Sequence, residues 1–477
     1  MKNILNKIAI FALILGSFAS CDQELDQLPF DEFASENAFI TAADFENGIR
    51  GVYSALTRAS YYGSSDAGSM LSAPDVMSDN VILTSRGRQS KATLHNWEYL
   101  PASTMRGLYF DAYTVIFRAN NLLKFAEDFE GDNKANIVAE AKALRALAHF
   151  DLVKVFGKIP TQSADANGSL GIAYMTEPDP LAEPARMTVG EVYQNIIADL
   201  TDAAAGINAT NPTGRMGKDA INVLLSRVYL YNGEWQKAID AANNVTTPIA
   251  PRNSVVGVWE DTNQAGLTFY IPNDATVLNL NIGVTWSQGG VNNLIPEYAV
   301  SFEFFNKFAA DDIRKEAYTF AGQNTANALQ WNAIKKLFGR PGQSNGLVDF
   351  KILRAEEALL NKAEAQYELG QTGPALITLN LLRAQRYLTP PSGETGVAIR
   401  DAIRLERRLE FAFEYQRFFD LKRWALPVQR TNDGDLADGT GSPSINQSLP
   451  AGSFKFQLPI STTTIDLNPN IVQNPGY

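Results

Sequence analysis

The sequence has one cysteine and two histidines among its 477 residues, and this scarcity excludes several kinds of site. The cysteine is Cys21, and the histidines are His95 and His149. A single thiol forms no intramolecular disulfide, and zinc sites usually need several cysteine or histidine ligands. We therefore predict no cofactor and no metal site, although the 52 acidic residues leave a carboxylate-bound structural calcium open.

The sequence also lacks a positive net charge and an apolar run of membrane length. Its formal net charge is -11 at pH 7, so nucleic acid is not an expected partner. The apolar segment Ile8–Phe18 is much shorter than the roughly 20 residues that span a bilayer. No later run approaches that length, so we predict no membrane-spanning helix.

The N-terminal residues have the pattern of a bacterial lipoprotein signal. Lys2 and Lys7 supply positive charge, Ile8–Phe18 supplies the apolar region, and two small residues precede Cys21. We predict that residues 1–20 are a removable signal peptide and that Cys21 carries the lipid that anchors the mature chain. An ordinary secretory signal with a chance cysteine is the alternative.

Two further details bear on this anchor. The third position before the cysteine is usually leucine in such signals, and here it is the apolar Phe18. Residues 21–30 include Asp22, Glu24 and Asp26, and we interpret this acidic stretch as a tether.

Long helical patterns dominate the remaining sequence, so we predict an all-α dominated fold. Between Ala139 and Phe156 the apolar residues recur every three or four positions, which indicates one amphipathic helix that ends before Gly157 and Pro160. His149 lies in this helix. We interpret it as a core-edge histidine that is satisfied by hydrogen bonds, rather than as a metal ligand or a base.

Two segments predict helical hairpins similar to tetratricopeptide repeats. Residues 220–240 and 357–376 each place a glycine, Gly233 or Gly370, between two helices, with a small alanine early in the second helix. The two glycines are several repeat lengths apart, so other elements are expected between the hairpins.

Other regions are rich in turn-forming residues. Residues 59–107 and about 246–348 are predicted to be loop-rich, ligand-facing excursions on the helical scaffold, and residues 428–460 are also turn-rich. Within the second excursion, residues 267–272 and 277–286 have β-strand character.

The predicted domain organisation follows from these patterns. Residues 31–477 form a single domain, in which about 40–245 and 349–388 make the hairpin scaffold and 400–477 form a C-terminal block. The closing Asn-Pro-Gly-Tyr, which ends at Tyr477, is expected to form a turn that pins the C-terminus to the body.

Residues 403–424 carry alternating basic and acidic side chains beside an apolar face that includes Leu405 and Leu409. We predict one helix held by ion pairs three or four residues apart, whose arginines also pack onto neighbouring hairpins and loops. A site for an anion or a carboxylate is the alternative.

Several separated blocks resemble the SusD/RagB family of nutrient-binding outer-membrane lipoproteins of Bacteroidetes. The most specific block is 406–424, with its alternating Glu and Arg before Phe-Phe-Asp-Leu-Lys-Arg-Trp, and the closing residues 458–477 are nearly as specific. Residues 47–53, 139–160 and 214–231 complete a resemblance that covers essentially the whole mature chain.

The resemblance implies a SusD-like fold and a non-enzymatic role. Members of this family capture an oligosaccharide or polysaccharide, or in some cases a peptide, and close as a lid over a SusC-type TonB-dependent transporter. It therefore implies a lipid-anchored, surface-exposed protein of the cell outer membrane, with a glycan ligand and such a transporter as partners. The same family with a peptide ligand is the nearest alternative.

Binding of a sugar requires particular side chains. Sugar rings stack on aromatic groups, and their hydroxyls bind amides, carboxylates and arginines, which usually lie on loops. The ligand-binding residues that we predict on this basis are Tyr61, Tyr62, Asn80, Arg86, Trp97, Trp286, Gln288, Asn292 and Trp331. Packing in the core is the competing interpretation for each aromatic residue.

Two other classes of function remain as alternatives. A surface glycoside hydrolase would need two positioned carboxylates, and neighbours such as Asp311 and Asp312 mean little without geometry. The sequence has no His-Glu-x-x-His or Walker motif, and its one Gly-x-Ser-x-Gly match, residues 342–346, lies in a turn-rich excursion and not between a strand and a helix, so we predict that the protein is not an enzyme. A pure protein-interaction scaffold would show no affinity for saccharides or peptides.

Overall fold

The structure is a computed structural model that describes residues 39–286, 288 and 293–477. Helices dominate it, as predicted. They are α1 (Ala42–Leu56), α2 (Ala73–Val76), α3 (Ala92–His95), α4 (Arg106–Ala126), α5 (Lys134–Phe156), α6 (Val189–Gly206), α7 (Lys218–Asn232), α8 (Trp235–Asn243), α9 (Val255–Trp259), α10 (Phe302–Phe305), α11 (Ile313–Tyr318), α12 (Ala355–Glu368), α13 (Thr372–Arg383), α14 (Val397–Glu410), α15 (Arg417–Arg423) and α16 (Thr462–Leu467). The predicted signal peptide, the lipid site at Cys21 and the acidic tether lie outside the described residues.

Helix α5 is the central helix of the scaffold. It confirms the helix predicted between Ala139 and Phe156 and begins earlier, at Lys134, while Gly157 caps its end as expected. The single apolar stripe predicted for it is wrong, because nearly every residue of the helix is buried. Helices α4 and α6 pack against α5, so its charged side chains need partners inside the protein.

His149 in α5 has the structural role predicted for it. Its Nδ1 lies 2.9 Å from the carbonyl oxygen of Arg145, and its Nε2 accepts the backbone N–H of Met175 at 3.0 Å. The ring stacks on Tyr174 with a centroid separation of 3.8 Å. Burial lowers the pKa of His149 to about 3, so the imidazole is neutral in the folded protein.

The two predicted hairpins are confirmed as the pairs α7 with α8 and α12 with α13. Gly233, at φ +75°, and Gly370, at φ +76°, follow the first helix of each pair in the left-handed region, which glycine adopts without a Cβ clash. Helix α12 packs against both α7 and α8. The two hairpins therefore form one scaffold, although a long excursion separates them in sequence.

The strands are short and pair antiparallel. The pairs are β1 (Val81–Leu83) with β3 (Tyr298–Val300), β2 (Leu267–Ile271) with β6 (Phe350–Arg354), β4 (Thr319–Asn324) with β5 (Leu329–Ile334), and β7 (Val428–Gln429) with β8 (Ser448–Leu449). Strand β2 confirms the first strand predicted in the second excursion, but the one predicted at 277–286 is wrong, because these residues form turns. Gly283 lies so close to other backbone that a Cβ there would be 1.9 Å from the carbonyl oxygen of Leu337.

The charged block at 403–424 forms two helices, α14 and α15, instead of the one helix predicted. Phe413 and Tyr415 lie in the turn between them, and both have positive φ. Many of the ion pairs cross to other elements, as the predicted packing of the arginines requires. For example, Arg423 of α15 holds Glu364 of α12 through two hydrogen bonds of 2.5 and 2.7 Å.

Glu410 at the end of α14 is a buried centre of this charge network. Arg354 lies 3.0 Å and Arg386 2.8 Å from its carboxylate, and Arg314 lies within 3.5 Å. Burial alone would raise the pKa of Glu410, but Arg386 and Arg354 outweigh that effect and hold the pKa well below its usual value. Because removal of one partner would leave a buried charge, such a network ties α14 firmly to its neighbours.

The C-terminus is pinned to the body, as predicted. Asn474 donates hydrogen bonds to the carbonyl oxygens of Phe156 and Leu458 at 2.8 and 2.7 Å, and it accepts one from Arg186 at 2.8 Å. None of the helices in the described part of the chain is long and apolar enough to cross a membrane. The same residues contain no group of three or more side chains that could hold a metal ion.

Candidate ligand-binding site

The two predicted excursions meet in one region of the structure. Strand β1 of the first pairs with β3 of the second, and the backbone N–H of Thr84 donates to the carbonyl oxygen of Glu297 at 2.9 Å. The turn-rich C-terminal region joins them, because Asp435 accepts the N–H and the hydroxyl of Ser85 at 2.8 and 3.0 Å. Three loop regions that are far apart in sequence therefore share one surface.

Glu297 lies at the centre of this meeting point. Its Oε1 accepts hydrogen bonds from Nε and Nη2 of Arg88 at 2.9 and 2.6 Å, and Gln288 also donates to this oxygen. Its Oε2 accepts the N–H and the hydroxyl of Ser90 at 2.9 and 2.5 Å. We call this region the loop junction and define it by Asp66, residues 84–91, Gln288, Glu297 and Asp435.

Hydrogen bonding keeps Glu297 ionised. Burial alone would raise the pKa of this carboxyl, but Ser90 and Arg88 outweigh that effect and hold the pKa below its usual value. The hydrogen bond to Glu297 in turn raises the pKa of Arg88. The Glu297 carboxylate is thus a fixed negative charge that orients the guanidinium beside it.

The solvent side of the loop junction is polar. The Glu297 side chain is fully buried, whereas 49% of the Arg88 side-chain surface and 67% of that of Asp66 are exposed. Arg86 is exposed as well. Exposed guanidinium and carboxylate groups can donate to and accept from the hydroxyls of a sugar, and Arg88 is already held in position for such contacts.

Several of the predicted aromatic residues are buried rather than exposed at this surface. Tyr61 and Tyr62 stack on each other at 4.6 Å, and both hydroxyls donate to Oδ2 of Asp151, at 2.9 and 2.6 Å. Trp97 is 6% exposed, and its indole N–H donates to the carbonyl oxygen of Met77 at 2.9 Å. Protein covers these rings, so packing, the competing interpretation, accounts for them in this structure.

Trp286 and Trp331 are also fully buried. The Trp286 ring lies 6.0 Å from that of Tyr298 and 6.3 Å from that of Phe413. Trp331, in β5, belongs to a small apolar cluster with Ile82. Neither indole offers a free face to a ligand in this structure.

Asn80 has a structural position as well. It is fully buried, its amide donates to Oδ1 of Asp75 at 3.2 Å, and its side-chain oxygen accepts from Nε of Arg408 at 2.9 Å. Asn80 therefore ties the first excursion to α14 instead of facing solvent.

Two of the predicted polar residues do lie at the loop junction. Arg86 is exposed there, Gln288 contacts Glu297, and Asn292 falls outside the described residues. Direct contact of these residues with a ligand stays a prediction. Arg88 and Glu297 are not among the residues predicted from the sequence. The polar run around Arg86 could have suggested Arg88, but no local pattern indicates that Glu297, far along the chain, is its partner.

Two sequence models of related families match consecutive parts of the chain. The model described as "SusD family" matches residues 261–477, and the one described as "Starch-binding associating with outer membrane" matches residues 27–230. SusD-like protein P2 of Formosa agariphila is 25% identical, over 98% of this chain and 99% of that protein.

Solved structures agree with these matches. A SusD superfamily protein from Bacteroides vulgatus is 25% identical, and its structure matches with a TM-score of 0.80. The match covers 92% of this chain and 100% of the Bacteroides vulgatus chain. A laminarin binding SusD-like protein is 22% identical and has the same fold, with a TM-score of 0.70 over 92% of this chain and 100% of that one. The helical scaffold is thus that of a SusD-like protein. The chain belongs to the SusD family.

Proposed function

We propose that the protein binds a glycan at its loop junction and does not modify it chemically. The observation that carries this proposal is the contact of Arg88 with Glu297, which holds a half-exposed guanidinium at the place where three loop regions meet. A polar group that is already ordered loses little conformational freedom on binding, which favours affinity. The description of one matching family as starch-binding and the laminarin binding of one relative support a carbohydrate ligand.

The charge state of Glu297 does not suit the general acid of a glycosidase. A glycosidase needs a general acid whose pKa is raised, so that it is protonated near neutral pH. Glu297 has a lowered pKa, and donors from Arg88, Ser90 and Gln288 occupy both of its oxygens. It is therefore suited to positioning Arg88 and not to proton transfer.

We further propose that the protein delivers its glycan to a SusC-like TonB-dependent transporter of the outer membrane. Membership of the SusD family supports this partner, and the family description "associating with outer membrane" supports the location. The predicted lipid on Cys21 would anchor the chain at the cell surface, and the acidic tether would let the body move as a lid while it stays near the transporter.

The first experiment is a binding screen with a soluble Cys21→Ala protein that lacks the signal peptide. An array of plant, algal, fungal and bacterial polysaccharides should retain the protein on at least one of them, and incubation with that polysaccharide should release no new reducing ends. Retention only by a peptide library would favour the peptide-binding alternative. New reducing ends that vanish with one carboxylate substitution would show an enzyme and overturn the proposal.

A further inference from the structure

Helix α4 carries four aromatic residues close together: Tyr109 and Tyr113 are partly buried and pack against Phe156 and His149 of α5, and Phe110 and Phe117 are exposed. Tyr109, Phe110, Tyr113 and Phe117 are spaced so that they follow one another along neighbouring turns. Phe110 is 63% exposed and Phe117 is 40% exposed, which is unusual for two such large apolar rings close together. These rings line a cavity of about 370 Å³, which we call the α4 groove.

The walls of the α4 groove are held in place by hydrogen bonds. Residues 173–184 form one wall. The Tyr113 hydroxyl is tied to this wall because it donates to the carbonyl oxygen of Ala173 at 2.8 Å. Residues 464–471 form the other, and Asn468 ties the two walls together by donating to the carbonyl oxygen of Pro184 at 3.0 Å. The groove is therefore largely preformed, as small-molecule sites usually are.

Carboxylates lie at the rim of the α4 groove. Glu177 and Asp179 both line it, and both are exposed. One oxygen of Asp179 accepts the backbone N–H of Leu181 at 2.9 Å. Among the described residues, no group donates to the Glu177 carboxylate. The groove thus combines exposed aromatic faces with acceptors that are free to bind hydroxyl groups.

We propose that the α4 groove is a second carbohydrate subsite, which binds a pyranose unit of the same glycan that the loop junction captures. This inference rests on the proposed glycan-binding function. The aromatic rings would stack against the C–H face of the sugar, and Glu177 and Asp179 would accept its hydroxyls. The two sites share no residue, so each can be altered without substituting a residue of the other.

The shape and charge of the α4 groove favour a sugar over a protein segment. Its volume lies within the range of small-molecule pockets, which are about 300–1,000 Å³. A protein that covered the aromatic rings would also have to place a cation or another donor at each of the rim carboxylates of Glu177 and Asp179, because burial of an unpaired charge is costly. A sugar instead supplies a hydrogen-bond donor for each of them.

The test uses the double substitution Phe110→Ala with Phe117→Ala in the soluble protein. Both side chains are exposed, so the melting temperature should stay within about 2 °C of that of the unsubstituted protein, as for most surface substitutions. Isothermal titration with a polysaccharide retained in the screen should show about a tenfold loss of affinity, which corresponds to about 1.4 kcal/mol. The matched control is Phe454→Ala, because Phe454 is 41% exposed and lies outside the groove; its affinity should be unchanged.

A second variant, Phe117→Trp, places an indole in the α4 groove as a reporter. Its fluorescence should change when the polysaccharide is added, beyond the change seen in the unsubstituted protein.

If the unsubstituted protein binds the polysaccharide but the double variant binds it equally well, the inference is wrong. In that case, loss of transporter binding in the double variant would identify the groove as a protein contact. If the unsubstituted protein binds no polysaccharide, the proposed function itself has failed, which is a different result.

Discussion

Arg88 and Glu297 are separated by 209 positions in the sequence, yet Nε and Nη2 of the arginine lie 2.9 and 2.6 Å from one carboxylate oxygen of the glutamate. This contact joins the two loop excursions beside the pairing of β1 with β3. It also leaves the arginine half-exposed at the surface. The structure therefore uses a buried carboxylate to fix an exposed cation where a ligand can reach it.

The stability of the protein should fall in mild acid, in part because of His149. Burial lowers its pKa to about 3 in the folded state, against 6.5 in an unfolded chain. Below about pH 6.5 the unfolded chain therefore takes up a proton that the folded protein does not, so stability falls as the pH drops toward 3. For this one group the loss between pH 7 and pH 5 should be about 2 kcal/mol.

Urea unfolding at pH 7 and pH 5 measures this contribution, with His149→Gln as the comparison. The variant should be less stable at pH 7, because it loses the stacking on Tyr174, but its stability should change less between the two pH values. An identical change in both proteins would contradict the assignment of a neutral, buried imidazole to His149.

Gly370 should be sensitive to substitution because of its backbone conformation. A Cβ at this position meets no atom within 4 Å, but φ is +76°, so Gly370→Ala should lower the free energy of unfolding by about 1 kcal/mol. Gly373, in α13, is the matched control: it also has open space, and it lacks a positive φ. Gly373→Ala should be neutral or slightly stabilising, and equal losses in the two variants would rule out the conformational explanation.

The buried ion pair of Arg227 and Glu357 should contribute strongly to the stability of the protein. The two residues make hydrogen bonds inside the scaffold, including one of 2.6 Å, and both side chains are almost fully buried. Glu357→Gln would leave the guanidinium buried without its counter-charge, at a cost of about 3–5 kcal/mol. Asp401→Asn, which removes the partner of the exposed Arg400, should cost less than about 1 kcal/mol. Similar thermal shifts for the two variants would contradict this ranking.

The lipid anchor can be tested separately from ligand binding. Cys21→Ala should leave the affinity of the purified protein for its polysaccharide unchanged, because the tether is not part of either proposed sugar site. In cells it should abolish uptake of that polysaccharide, since the protein would no longer be held beside the transporter. Normal uptake with a secreted, unlipidated protein would show that the anchor is not required.

Features that depend on local spacing were predictable from the sequence. The glycines of the two hairpins, at 233 and 370, end their helices through a conformation that a nearby sequence pattern already indicates. The helix around His149 was recognisable for the same reason, but its burial on all sides was not, because that depends on how α4 and α6 pack against it.

Features that depend on distant contacts could not be predicted in this way. A tryptophan in a turn-rich region, such as Trp97 or Trp286, can equally face solvent or fill the interior, and the choice depends on which loops meet. Here the excursions fold against each other and bury both rings. Arg88 and Glu297 were missed for the corresponding reason: neither is informative until the pairing of β1 with β3 brings them together.

The most direct test of the account is the affinity of Arg88→Ala for the polysaccharide found in the screen, measured by isothermal titration. The control is Arg400→Ala, because Arg400 is an arginine of comparable side-chain exposure, 37% against 49%, that lies on α14 and outside both proposed sugar sites. We predict at least a tenfold loss of affinity for Arg88→Ala and no loss for Arg400→Ala, both measured well below the melting temperature of Arg88→Ala, which should fall because the buried Glu297 loses its cationic partner. Equal affinities for the two variants would contradict the central claim that the loop junction binds the glycan.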